Sequence, residues 1–421
     1  MNSPKDLPAY STSSTSLKLA WLCLSLLGVF AVVANGPALR RVFLLSALIV
    51  GVVMMIRRWL DWRALRPFMP WIAITLGSAY WSMLPKTSLI DSLWEVLCPI
   101  AAFFAATVIF SRVEKRFYWT AFWLAAGAAV LAVLGGLHGH LGVWPGMPKA
   151  IFAAYSGRGV ASTAGVFLTL IGFSVILINQ DKRYGQQAKS LYFLGALLVV
   201  LGAALGILGH NRMYWFAVFV GLLPWLGLLR QVSLRLRVIS GLGVVLLVLS
   251  GVLYSSYIAK TQGPVSADGA VVQIQQSYTA DPRWRIWESW VAVAAEQPLL
   301  GYGYGTRVLP KIGVKHVPSV SPEHDIAAQH HAHNVFINVV VQTGLLGLAC
   351  FLWMLFGMWQ VIGNKTGVFA GQDEQRKWKI AAASLLLAAL AKSMTDDFFW
   401  GPATILMWLF AGIFAAGAQR K

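Results

Sequence analysis

Apolar runs of near-uniform length recur along almost the whole of this 421-residue chain. Each approaches the roughly 20 residues that a helix needs to cross a bilayer core about 30 Å thick. They lie near 17–35, 39–56, 68–84, 91–111, 117–137, 159–180, 188–209, 212–229, 236–258, 333–362, 379–395 and 399–417. A backbone inside lipid must satisfy its own hydrogen bonds, so runs of this kind fold as helices. The expectation is an all-α polytopic membrane protein with about 12 transmembrane helices. With 57% hydrophobic and only 12% charged residues, the chain carries about half the charge of a soluble one. A soluble enzyme, a disordered chain and a secreted disulfide scaffold are excluded. Cys23, Cys98 and Cys350 fall singly inside apolar runs and read as small buried hydrophobes. The first run lacks a small-residue cleavage site and is expected to stay as a helix.

The net charge of +18 is concentrated in one alternating set of connections. These hold Arg57, Arg58, Arg63 and Arg66; Arg112, Lys115 and Arg116; Lys182, Arg183 and Lys189; Arg230, Arg235 and Arg237; and Lys365, Arg376, Lys377 and Lys379. Basic short loops stay in the cytoplasm, so both termini are expected there. Residues 1–258 would carry the first nine spans, 259–332 one long outer loop, and 333–421 the last three spans. The positive charge then addresses anionic lipid headgroups, not nucleic acid. All eight histidines (138, 140, 210, 316, 324, 330, 331 and 333) fall on the outer side of this layout. A transport route would need ionisable groups at mid-membrane. Here the runs are nearly free of them, apart from Glu95 and Lys392 near span ends, which favours an enzyme of the outer interface.

Within the outer loop, Asp281-Pro282-Arg283-Trp284-Arg285 begins like a helix, with an Asp cap and Pro at the first position. Trp284, Trp287, Val291 and Ala294 recur at helical spacing, as in a helix lying flat at the interface. Arg283 and Arg285 are either lipid anchors or phosphate ligands. The following Gly301-Tyr302-Gly303-Tyr304-Gly305 permits close backbone approach. His330-His331-Ala332-His333-Asn334 opens the tenth run. A metal site, a general base and interfacial padding all remain open there, though adjacent helix positions diverge and no nearby carboxylate pattern supports a metal. Arg212 stands where the eighth run starts on the outer side. Its planar fork suits paired phosphate oxygens. Asp396 and Asp397, on the last outer turn, would either orient a histidine or arginine or solvate the turn.

His333-Asn334, followed at fixed spacing by Gly344 and Gly347, resembles the signature of O-antigen ligases. Arg283-x-x-x-Trp287 with Pro298-Leu299-Leu300-Gly301-Tyr302-Gly303 is similar to the rest of that family's block. The superfamily also holds O-antigen polymerases and protein O-oligosaccharyltransferases. The resemblance implies a GT-C-like enzyme of the bacterial inner membrane with a periplasmic active site. It would move O-antigen polysaccharide from an undecaprenyl diphosphate carrier to lipid A–core oligosaccharide. The reaction would invert the sugar and use no metal or other cofactor. The resemblance makes His333 the general base and Arg212, Arg283 and Arg285 the diphosphate ligands. Asn334, His331, Asp396 and Asp397 would support them, and His331 stands in as base if the motif's register shifts. Polymerase and protein-glycosylating activities are the near alternatives, and a transporter of lipid-linked sugars the alternative of another class.

Overall fold

The computed structural model describes residues 15–33, 37–57, 59–60, 62–141, 158–180, 186–209, 211, 213–226, 283–317, 329–363, 367–368, 371–394 and 401–419. The described residues are mostly helical, without strands. In chain order the helices are α1 (Thr15–Val33), α2 (Pro37–Ile56), α3 (Met69–Gly77), α4 (Pro85–Ser92), α5 (Cys98–Arg112), α6 (Lys115–Leu141), α7 (Arg158–Asn179), α8 (Gln186–Leu208) and α9 (Met213–Leu226). They continue with α10 (Arg283–Glu296), α11 (Val308–His316), α12 (Val335–Gly363), α13 (Asp373–Ser393) and α14 (Pro402–Gln419). Among the described residues, seven helices are long and apolar enough to cross a membrane: α1, α2, the joined α4–α5, α6, α7, α8 and α12. The apolar helices α9 and α14 are shorter. The expected ninth span, 236–258, lies outside the described residues.

α4 and α5 are joined through a wider π turn at Leu93–Leu97. Pro99, second residue of α5, has no N–H for the carbonyl four residues back, and a π turn is one way for a helix to absorb such a gap. α7 and α8 form the tightest pair. A Cβ on Gly165 or Gly172 would overlap the backbone of α8, and one on Gly195 or Gly202 the backbone of α7. Small residues let helix axes approach in this way within membranes. Thr107 on α5 donates to the Gly412 carbonyl of α14 at 3.3 Å, and a Cβ on Gly412 would overlap the carbonyl of Phe103.

Two contacts bring the basic connections to one end of the bundle. Trp59 lies under the guanidinium groups of Arg57 at 5.6 Å and Arg112 at 5.0 Å. Lys115 meets Glu374 at 3.0 Å, tying the start of α6 to that of α13. These are the loops that charge alternation assigns to one side.

The expected span 68–84 is not one helix. α3 stops after nine residues and passes into a 3-10 turn at Ser78–Tyr80. Nine residues rise only about 13 Å, well short of a bilayer. The hydroxyl of Ser78 instead accepts the N–H of Tyr304 at 2.9 Å, and Trp81 Nε1 donates to the Leu300 carbonyl at 3.0 Å. The chain turns here because the backbone of a loop from far along the sequence docks against it.

That loop, 298–305, fills a break in α12. At Gly344 the backbone leaves the helix (φ 67°, ψ −173°). The bonds that Leu345 and Leu346 would make to Val341 and Gln342 are replaced. Leu345 N–H donates to Pro298 O at 2.7 Å and Leu346 N–H to Leu299 O at 3.4 Å. The freed carbonyls of Val341 and Gln342 accept from Tyr302 and Gly303 at 2.9 and 2.8 Å. Gly344 must be glycine twice over: its φ is positive, and a Cβ would overlap the Leu299 carbonyl. Gly347 has a separate reason, because the Thr343 side chain occupies the space a Cβ would take.

Gly344→Ala is therefore expected to destabilise the detergent-solubilised protein by about 2–4 kcal/mol. Gly127, helical with nothing within 4 Å of an added Cβ, should tolerate alanine within about 1 kcal/mol. Thermal unfolding of the two variants side by side checks the difference.

Candidate functional site

α10 forms as the sequence predicts, but its buried face is rotated from the expected one. Ile286, Trp290, Val293 and Ala294 are buried, while Val291 is exposed and Trp287 half-buried. The reason is a small apolar core of its own. Ile286, Trp290 and Val293 pack with Tyr302, Val308, Leu309, Ile312, Ala332 and Val341, so α10, α11 and the first turns of α12 make one cap over the bundle. Arg283 and Arg285 lie in the first turn of α10, and their side chains lie outside what is described. Asp281 and Pro282, the expected cap, lie outside the described residues, as do Arg212, Asp396 and Asp397.

The cap carries a polar clasp. Tyr302 donates to Glu296 Oε2 at 2.7 Å, and His316 Nδ1 lies 3.1 Å from the same oxygen. Desolvation, with the Glu296 hydrogen bond behind it, pushes the Tyr302 phenol up to about 12. The Tyr302 hydroxyl, with His316 adding to it, holds Glu296 below the usual carboxylate range.

His333 sits directly before α12, with φ 52°, the only non-glycine residue with positive φ among the described residues. Its own N–H donates to His331 Nδ1 at 3.0 Å, and the two imidazole centroids are 4.0 Å apart with planes at 46°. Asn334 caps α12. Its Oδ1 accepts from Phe336 and Ile337 at 2.9 and 3.3 Å, which settles donors a helix start leaves unpaired. Its Nδ2 donates across to the Met394 carbonyl at 3.0 Å, at the end of α13 and two residues ahead of Asp396 in sequence. Asn338, fully buried, accepts the Ala332 N–H at 2.9 Å. The histidine is thus fixed by side-chain to backbone bonds on both sides of it.

Asn334, Asn338 and Gln342 are four residues apart in an otherwise apolar run, hence on one helix face. Each amide is paired with non-helical backbone, Gln342 Oε1 with the Gly305 N–H at 3.5 Å. Sequence reasoning missed Asn338 and Gln342, although the spacing of four was a usable signal. It also missed Asp91, which is buried on α4. Asp91 takes hydrogen bonds from the backbone N–H groups of Thr306 and Arg307 and from the Thr306 hydroxyl at 3.3 Å. Glu95, in the π turn, lies 3.5 Å from that hydroxyl. No local pattern marked these two as partners of the glycine loop.

Beneath the cap lies a cavity of about 30 Å³ lined by residues including Trp71, Glu95, Tyr304, Val335 and Gln342. It has room for a water or two. No group of three or more His, Cys, Asp or Glu able to hold a metal is present among the described residues. His330 is exposed and His331 half-buried. The arrangement offers one imidazole in a fixed, uncommon backbone conformation at the mouth of the bundle.

Compared with known families, residues 197–352 match the O-antigen ligase family. The matched stretch takes in Arg212, Arg283, Arg285, His331, His333, Asn334, Gly344 and Gly347, and leaves Asp396 and Asp397 outside. No curated protein matches the chain.

The clasp predicts a pH signature. Because the folded Tyr302 phenol is raised, its stabilising contribution is complete below the ordinary tyrosine value near 10 and fades as pH rises toward about 12. A difference titration of parent minus Tyr302→Phe, followed by phenolate absorbance, should show one late-ionising tyrosine. In Glu296→Gln that step should move down, toward the ordinary value.

Proposed function

We propose that this member of the O-antigen ligase and polymerase superfamily is the ligase. It would transfer O-antigen polysaccharide from an undecaprenyl diphosphate carrier to lipid A–core oligosaccharide, at the periplasmic face of the bacterial inner membrane. The observation that carries the mechanism is His333, held in a left-handed conformation by its neighbours at the start of α12. A side chain fixed in this way by surrounding bonds is a common mark of a functional position.

In this reading the diphosphate is already an activated leaving group, so the reaction needs no external energy source. Arg212, Arg283 and Arg285 bind it and stabilise the charge that grows as the C1–O bond breaks. His333 takes the proton of the attacking core hydroxyl, which approaches the opposite face of C1 and inverts it. Asn334 ties the base to the end of α13, and Asp396 and Asp397 follow two and three residues on in the sequence. The proposed layout keeps the 259–332 loop on the outer side and both termini in the cytoplasm, with 68–84 meeting that loop as the short α3 and its turn and not as a full spanning helix. Sharing of the basic end by Arg57, Arg112, Lys115 and Glu374 supports it. Both substrates are lipid-anchored, so in this reading they meet at the membrane surface.

Transfer by purified protein, with carrier-linked glycan and rough lipopolysaccharide, tests this. His333→Ala should lose on the order of 10²–10⁴-fold in rate while still binding the carrier. Excess chelator should leave the parent's rate nearly unchanged. A parental rate in His333→Ala, or activity abolished by chelator and restored by a divalent cation, overturns the mechanism. If carrier-linked repeats are extended and the lipid A–core stays bare, the enzyme is the polymerase.

A companion measurement addresses the arginines. Arg212→Lys keeps the charge but loses the paired donors of guanidinium, and should fall at least about tenfold in kcat/KM, a loss of roughly 1.4 kcal/mol in transition-state binding. Arg283→Lys should fall less, and parental turnover in both would make them lipid anchors.

A further inference from the structure

We infer that His331 is a positioning residue whose Nδ1 holds the backbone of His333 in the left-handed conformation that presents its imidazole. This rests on the reading of His333 as the general base. The sequence left His331 as the substitute base or as a supporting residue without a stated task; the geometry assigns it one. His331 Nδ1 accepts the N–H of His333 at 3.0 Å, so in this arrangement that nitrogen carries no proton and is occupied.

The bond closes a turn in which a side chain accepts the main-chain N–H two residues ahead. Asn and Asp commonly make this turn with Oδ1. It stands at the one non-glycine position with positive φ among the described residues, where L side chains meet a steric cost and local hydrogen bonding is what offsets it. The flanking contacts do not duplicate it. Asn338 holds the N–H of Ala332, and Asn334 Oδ1 holds those of Phe336 and Ile337. The His333 N–H is served by His331 in the hydrogen bond described. With that acceptor gone, His333 can relax toward the right-handed region, which swings its ring away from the direction fixed here.

The chemistry of the acceptor makes the idea separable from a catalytic role of the ring. Asparagine Oδ1 sits where histidine Nδ1 does, at the same number of bonds from the backbone, and cannot take up a proton as imidazole can. Glutamine carries the same amide one bond further out and cannot close the turn.

The test uses the full chain in detergent, with the carrier-linked glycan and rough lipopolysaccharide already named. His331→Ala and His331→Gln are expected to fall about 100-fold in kcat, the scale of a misplaced catalytic group, with donor KM within about twofold. His331→Asn is expected to recover the rate to within about threefold of the parent, because the turn closes again. Unfolding midpoints of all three are measured in parallel. Glutamine guards against an alanine variant that does not fold.

An asparagine variant as slow as alanine overturns the inference, because the imidazole itself is then required and His331 becomes the base. Parental kcat in His331→Ala or His331→Gln overturns it too. So does a loss that disappears when rates are expressed per folded molecule. His333→Ala, run alongside, separates this from failure of the underlying reading. If it transfers at the parental rate, the base is wrong whatever His331 does. If it is dead while alanine at 331 is not, only the positioning role falls.

Discussion

The exchange of four backbone hydrogen bonds between α12 and the segment 298–303 is the constraint on which the capped half of the molecule depends. Breaking a helix at Gly344 releases two carbonyls and two N–H groups away from water. Each would cost about 1–3 kcal/mol if left unmade, together comparable to the 5–15 kcal/mol that stabilises a typical domain. The loop replaces every one of them. Its path then decides where α3 must stop, since Ser78 and Trp81 bind the same loop. It also decides which face α10 buries, since Tyr302 belongs to the core under α10. The first turns of α12, with the candidate base at their head, are held from one side by this loop and from the other by the Asn334–Met394 bond.

Much of the fold was legible because membrane insertion writes its demands along the chain. Apolar length alone located α1, α2, α6, α7, α8 and α12 to within a few residues. Charge alternation grouped Arg57, Arg112 and Lys115, which do share one end of the bundle. The failure at 68–84 has a physical cause. Hydropathy reports whether a segment can cross, and says nothing of a partner more than two hundred residues away that ends the helix halfway. The face of α10 was misjudged for a related reason. Its tryptophans were read as the buried stripe, whereas the small core of the cap selects Ile286, Trp290 and Val293, leaving Val291 facing out.

The site was legible where chemistry and spacing coincide. His333-Asn334 followed by Gly344 and Gly347 marks a cap, a helix break and a side-chain clash, and each glycine has its own steric reason. Asn338 and Gln342 were overlooked because single amides in an apolar run look like noise, although with Asn334 they form a regular stripe. Asp91 and Glu95 were illegible in a stronger sense. Their partner, Thr306, is brought to them only by the loop's course. The sequence singled out His333 over His331 by the adjacent Asn334 alone; it could not show the positive φ of His333 or the hydrogen bond that joins the two.

The broken helix also bears on how the chain is made. Nascent α12 enters the membrane carrying donors and acceptors that it cannot satisfy by itself, and lipid offers none. Their partners lie on the N-terminal side, at 298–303, so they have left the ribosome some forty residues before Gly344 does. The order of synthesis thus supplies the template ahead of the helix that needs it. A homologous arrangement with the loop placed after the broken helix would expose those four groups to the bilayer until translation caught up. The direction of the chain is in this sense part of the fold.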